Sequence, residues 1–305
     1  MNVQLPKLDI GCSTGHARLG RVAAISQTDY EEGGDAMTRS SISMVSASPK
    51  ERIIVALDNL VMYEEQESLG RPTATIVDLP ATCQNLKQLI DQLSSHVGMF
   101  KVGLELFTAL GPDAVEYIAE LGGKVFLDLK FHDIPNTVGQ ATRAAAGLGV
   151  EFIDVHTLGG LEMMKAAVAN KGSAKLLGIT ILTSHTDEWC RWQFGCSIQH
   201  KVLALAFEAK SAGLEGIVCA PTDVAILRSD PRLQEMIIVT PGIRPAGSEL
   251  NDQNRVAAPG AAILAGADYL VIGRPITADR DPVAAAQRIA EEIEQALAEQ
   301  LKEAR

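Results

Sequence analysis

KVFLDLKFHDIPNT, residues 124–137, is the stretch on which the reading of this chain turns. It opens as the apolar run a buried strand needs, but Asp128 and Lys130 interrupt it two positions apart. Side chains two apart on a strand face the same side. The two charges therefore share one face, and Val125, Leu127 and Leu129 take the other. Asp133 follows three residues after Lys130, where the strand gives way to a loop that reaches Pro135. In an α/β barrel, polar residues at the C-terminal end of a strand lie at the mouth, where active sites are built. Taken alone, the pair is equally compatible with a structural ion pair at a strand end.

Seven further segments read as strands: RIIVALD (52–58), MFKVGLE (99–105), FIDVHT (152–157), LLGITILT (176–183), GIVCA (216–220), IIVTPG (237–242) and YLVIG (269–273). Helical stretches such as DAVEYIAELG (113–122) and KVLALAFEAKSAG (201–213) lie between them. Near-continuous apolar strands separated by helices imply a parallel sheet covered on both faces. Eight such units favour a closed (β/α)8 barrel over an open sheet. No G-x-G-x-x-G follows the first strand, which argues against a dinucleotide fold. The last helix, DPVAAAQRIAEEIEQALAEQLKEA (281–304), has an amphipathic repeat suited to covering the barrel's outside. The polar stretch LVMYEEQESLGRPTATIVDLP (60–80) reads as an inserted surface loop.

Residues 1–48 mix Gly, Ser, Thr and both charge signs without a sustained period, and read as a disordered leader before a barrel domain at 49–305. The leader lacks the apolar centre of a signal peptide, and its acids argue against a transit peptide. Met37 and Met44 are alternative starts. The formal net charge of −11 disfavours nucleic acid and anionic membranes as partners, so an anionic ligand needs a local positive site. No apolar run approaches the ~20 residues that span a bilayer. Cys12, Cys83, Cys190, Cys196 and Cys219 are odd in number and irregularly spaced, as expected of thiols in a reducing cytoplasm. No three His or carboxylate residues recur at metal-ligand spacing. Trp189 and Trp192 read as local packing, and His132 as a residue that orients its loop.

Other strand ends add charge to the same mouth. FKVGLE places Lys101 at the end of strand two, and ALD places Asp58 at the end of strand one. Four or five converging charges are costly to desolvate unless they pair mutually, which suggests a site retained for function. A second group follows strands seven and eight, where barrels often bind phosphate. It comprises Arg244, Gln253, Gly273 and Arg274. Glycine admits a close backbone approach, and arginine offers a forked pair of donors.

The segments ALD (56–58), FKVGLELF (100–107), FLDLKFHDIPNTV (126–138), ILTS (181–184), VTPGIRP (239–245), GSELNDQNR (247–255) and YLVIGRPIT (269–277) together resemble orotidine 5'-phosphate decarboxylases of the common bacterial kind. They occur in the family's order. The D-x-K-x-x-D element is shared with related sugar-phosphate barrels, whereas DLKFHDIPNT combined with GIRP and IGRP is far more specific. The resemblance implies a single-domain TIM barrel of the ribulose-phosphate-binding type. It also implies an enzyme that converts orotidine 5'-phosphate to UMP, the last step of pyrimidine nucleotide synthesis, without cofactor or metal. Lys130 would protonate C6 of the pyrimidine, and Asp128 would lie against the substrate carboxylate. Lys101 and Asp133 would complete an alternating Lys–Asp array. Asp58 would bind the ribose, and Thr183 the pyrimidine side. Arg244, Gln253, Gly273 and Arg274 would hold the phosphate. Asp133, Ile134, Pro135, Asn136 and Thr137 would contribute to substrate binding, with Asp133, Ile134 and Thr137 reaching the neighbouring subunit's site in a homodimer. The leader and the stretch at 60–80 depart from the family pattern without touching a motif residue. Two other readings stay open: a magnesium-dependent sugar-phosphate decarboxylase or aldolase barrel, and a non-catalytic barrel that binds UMP.

Overall fold

The computed structural model describes residues 47–68, 71–245 and 255–303. The chain enters through a short 3-10 turn, Pro49–Arg52, into β1 (Ile53–Ala56). An antiparallel pair follows, β2 (Tyr63–Ser68) and β3 (Arg71–Val77). Then come β4 (Met99–Gly103), β5 (Val125–Phe131), β6 (Phe152–His156), β7 (Lys175–Ile179), β8 (Gly216–Val218), β9 (Ile237–Thr240) and β10 (Tyr269–Ile272). The eight strands other than β2 and β3 form one closed parallel barrel in the order β1-β10-β9-β8-β7-β6-β5-β4. Closure is made by β1: Ile54 is in register with Met99 on one side and with Val271 on the other. The eight-unit barrel read from the sequence is thus the observed fold, and every expected strand falls on an observed one.

The period of two sorts each strand between two cores. Ile54, Met99, Phe126, Phe152, Leu177, Val239 and Val271 point inward and fill the barrel. Their neighbours Ile53, Val55, Phe100, Val102, Val125, Leu127 and Ile153 point outward beneath the helices. The last helix, Pro282–Glu303, covers part of that outer layer as expected. Its Ala285, Ala286, Ile289, Ile293 and Ala296 recur at helical spacing and are buried.

The stretch at 60–80 differs from expectation. It is not an irregular loop: β2 and β3 pair from Tyr63↔Val77 to Ser68↔Arg71, with one irregularity between Gln66 and Ser68. TATIV is rich in β-branched residues, and two residues separate the strands, which is the length of a tight hairpin. The polar run YEEQES masks the alternation that normally reveals a strand. Met62 O accepts from Asp78 N at 2.8 Å, which ties the hairpin's base together. The disorder expected of the leader falls on residues that, apart from Ala47 and Ser48, lie outside those described.

Candidate active site

The inner parity that fills the barrel continues upward into charge. Two residues above Ile54, Met99, Phe126 and Phe152 come Ala56, Lys101, Asp128 and Asp154, and Asp58 follows two residues after Ala56. The strands' C-terminal ends therefore carry an ionic layer on an apolar floor. Lys101 Nζ lies 2.6 Å from Asp58 Oδ2 and 3.0 Å from Asp128 Oδ2. Lys130 Nζ donates to Asp128 Oδ1. The result is a chain of alternating charge, Asp58–Lys101–Asp128–Lys130, with Asp128 gripped from both sides.

Lys101 and Asp128 are 8 % and 7 % exposed, so their ionisation depends on one another. Burial works against the Lys101 ammonium, but Asp128 and Asp58 outweigh it and hold its pKa above the ordinary lysine value. Burial likewise opposes the Asp128 carboxylate. Lys101, a hydrogen bond with Asp154, and Lys130 together hold it well below the usual range. Gly103 makes room for the layer. A Cβ there would stand 2.3 Å from Asp58 Oδ2 and 2.6 Å from Lys101 Nζ. Sequence reasoning passed over this glycine, although its place at the end of β4 is a signal of close approach.

Lys130 reaches the mouth by a distortion rather than by a regular strand. Its φ is +50, in the left-handed region. The pairing of β5 with β6 jumps from Leu127↔Ile153 to Phe131↔Val155, which leaves two extra residues on β5. A side chain held in this region costs about 1–2 kcal/mol, and such strain concentrates at functional sites. The backbone is held there by Asp154, whose Oδ1 accepts from Lys130 N at 2.8 Å. Asp154 was also passed over. Its signal was a single carboxylate in the otherwise apolar run FIDV, at the inward parity set by Phe152.

A cavity of about 920 Å³ opens over the ionic layer. It is lined by Asp58, Lys101, Asp128 and Lys130, and also by Thr183, Arg244, Gly273 and Arg274. The two groups read separately from the sequence thus share one space. Asp133, Ile134, Pro135, Asn136 and Thr137 do not line it; all five are exposed. Asp133 accepts from the backbone of Ile134 at 2.7 Å. Gln253 lies outside the described residues.

Another group missed by sequence reasoning is a strut beside the cavity. Arg255 pairs with buried Asp223 at 2.5 Å and donates to the carbonyls of Ile181 and Leu182 at 2.9 and 3.1 Å. Arg244 N donates to Ala257 O at 2.9 Å. These bonds tie Arg255 to Asp223 and to the wall carrying Thr183, and Ala257 to Arg244. The partners are remote in sequence, so spacing gave no warning of them.

His132 stacks on His156 with ring centroids 5.2 Å apart, so it contacts a neighbouring strand end rather than standing free in its loop. Trp189 packs locally as expected, stacked on His185 at 3.6 Å. Trp192 does not pack: it is 81 % exposed, three residues further along the same helix and away from its buried side at Cys190.

Residues 51–289 match the model of the orotidine 5'-phosphate decarboxylase / HUMPS family. The chain belongs to this family. It is 45 % identical over 262 residues to orotidine 5'-phosphate decarboxylase of Moorella thermoacetica, which covers 82 % of this chain and 95 % of that one. It is 50 % identical over 212 residues to the Geobacter sulfurreducens protein of the same name, covering 67 % and 88 %. Among solved structures, it resembles the orotidine 5'-phosphate decarboxylase of Lactobacillus acidophilus with a TM-score of 0.61 at 35 % identity, over 79 % of this chain and 97 % of that one. No described helix is long and apolar enough to cross a membrane.

His156 gives the site's surroundings a pH dependence. Burial first, then the neighbouring His132 and Lys130, lowers its pKa from 6.5 to about 4, and its Nδ1 is buried without a hydrogen-bond partner. Above pH 6.5 the imidazole is neutral both folded and unfolded, and nothing is lost. Between 6.5 and 4 the unfolded ring takes up a proton that the folded ring refuses, so stability falls with pH. After allowing for the ring's partial exposure, the loss is about 1–2 kcal/mol. Urea unfolding of the wild type and of His156→Asn at pH 7 and pH 4.5 should show a smaller acid-induced loss in the variant.

Proposed function

We propose that the chain converts orotidine 5'-phosphate to UMP and carbon dioxide, with Lys130 delivering the proton that replaces the carboxylate. The observation that carries this reading is the Lys130 ammonium, bonded to Asp128 at the floor of a cavity whose other end is lined by Arg244, Gly273 and Arg274. With the phosphate at the arginine end, the pyrimidine lies over the ionic layer beside Thr183, and the ribose lies near Asp58 and Lys101.

The chemistry requires such a layer. Breaking the bond between C6 and the carboxylate carbon leaves its electron pair on C6, in an sp2 orbital that the ring cannot delocalise. A fixed ammonium stabilises that charge without reorganising, and then gives C6 its proton. The products are UMP, carbon dioxide and a neutral Lys130, which is reprotonated from solvent. Asp128 orients the Lys130 ammonium beforehand. It also sets a negative charge against the substrate carboxylate, a repulsion relieved when carbon dioxide leaves. Binding energy from the phosphate, remote from the reacting carbon, presses the ring onto this layer.

The Asp58–Lys101–Asp128–Lys130 chain lacks a contribution from Asp133. We infer that Asp133, with Ile134 and Thr137, completes the site of a second copy in a homodimer of cytoplasmic subunits. In support, these residues are exposed beside the mouth, and the apolar side chains of Ile134 (66 %) and Leu104 (55 %) stand bare at the ends of adjacent strands.

The direct test is to follow the loss of orotate absorbance when the protein meets orotidine 5'-phosphate in a strong chelator. Full activity is expected. Dependence on added magnesium would favour a metal-dependent sugar-phosphate barrel, and tight UMP binding without turnover a non-catalytic one. Arg274→Ala should lower kcat/KM for the nucleotide by roughly 100-fold while hardly changing turnover of phosphate-free orotidine. Lys130→Ala and Asp133→Ala should each be nearly inactive alone. When the two are mixed and reassorted, activity should return in heterodimers that hold one complete site; heterodimers without activity would exclude a shared site.

A further inference from the structure

Asp154 has no part in the chemistry just described, yet it is the most deeply buried carboxylate at the mouth, with no exposed surface. Its Oδ1 accepts the Lys130 amide at 2.8 Å, the residue whose backbone is left-handed and where the β5–β6 register breaks. Its Oδ2 is buried and receives no hydrogen bond from any donor among the described residues. Asp128 sits at the same inward parity on the neighbouring strand, and Lys130 joins the two, its backbone N–H on Asp154 and its ammonium on Asp128. Two buried carboxylates set side by side do not both ionise without a large cost, so one of the pair carries a proton. Asp128 already answers to two ammonium groups, Lys101 and Lys130, which favour its charged form. The proton therefore resides on Asp154. Burial, followed by the Asp128 charge, raises the Asp154 pKa well above its ordinary value, in agreement with this assignment.

We propose that Asp154 is a positioning residue working as a neutral carboxylic acid: its carbonyl oxygen holds the Lys130 backbone, and its hydroxyl donates to Asp128. One side chain thereby fixes the backbone of the proton donor and the carboxylate that orients its ammonium. Neutrality is essential to the role. An ionised Asp154 would repel Asp128 and compete for Lys130, whereas a neutral one leaves the charges of Asp58, Lys101, Asp128 and Lys130 balanced two against two. The inference rests on the decarboxylase reading for its effect on rate, but not for the location of the proton.

The test compares wild type, Asp154→Asn and Asp154→Ala. Asparagine keeps both bonds, with its carbonyl accepting from Lys130 and its amide donating to Asp128, and it cannot ionise. It should retain kcat within about threefold of wild type, whereas alanine should lose roughly 100-fold in kcat with KM changed by less than about threefold. An infrared difference spectrum at neutral pH, wild type minus Asp154→Asn, should show the C=O band of a protonated carboxylic acid. Absence of that band, or an asparagine variant as slow as alanine, overturns the proposal. If the alanine variant does not fold, the band and the asparagine rate decide it alone, with the rise in Tm on adding UMP reporting an assembled site. Failure of the decarboxylase reading is separable: wild type would then lack turnover, while the infrared band would still locate the proton.

Discussion

The Asp128 carboxylate, held between Lys101 and Lys130, is the interaction on which the rest of the site depends. Taking a single ion out of water costs several kcal/mol even after the protein relaxes. Here the cost is offset because each buried charge meets its opposite, and the sequence of charges ends at groups nearer solvent. Asp58 and Lys130 have side chains 27 % and 31 % exposed, against 10 % for Lys101 and Asp128. The inner pair is thus stabilised by mutual contact, and the outer pair stays reachable from the cavity. Removing either lysine would leave Asp128 buried with half of its compensation.

Such an arrangement needs a rigid frame, and the closed barrel provides one. Every barrel strand is hydrogen-bonded on both sides, so inward positions are fixed in register from β1 around to β10. The floor of Ile54, Met99, Phe126 and Phe152 is apolar and packed, which keeps water from beneath the ionic layer and strengthens the attractions within it. Gly103 is the counterpart in small scale: the space that a side chain would take is given to the Asp58–Lys101 pair.

The departures from regularity cluster where the chemistry is. The left-handed backbone at Lys130 and the extra residues of β5 are local costs met by Asp154 and by the strand beside it. The strut from Arg255 to Asp223 does similar work beside Thr183, where Arg255 also holds the carbonyls of Ile181 and Leu182. Both devices act on backbone, Asp154 on the Lys130 amide and Arg255 on those two carbonyls.

The sequence by itself determined the eight strands, their order along the chain, and the inward parity of Lys101 and Asp128. A period of two in an apolar run is a local property, and charge placed on its inner face is visible without coordinates. It also placed the two arginines after the seventh and eighth strands. It did not resolve residues 63–77 into two strands, because their polar run shows little of the alternation that reveals a strand. Only the tertiary structure decided that Asp58, rather than Asp133, closes the charge chain within one copy, that Lys130 turns on a bulge, and that Asp154 and Arg255 support the site. Those facts depend on contacts between residues 24 to 74 positions apart, which barrel closure brings together and no local spacing records.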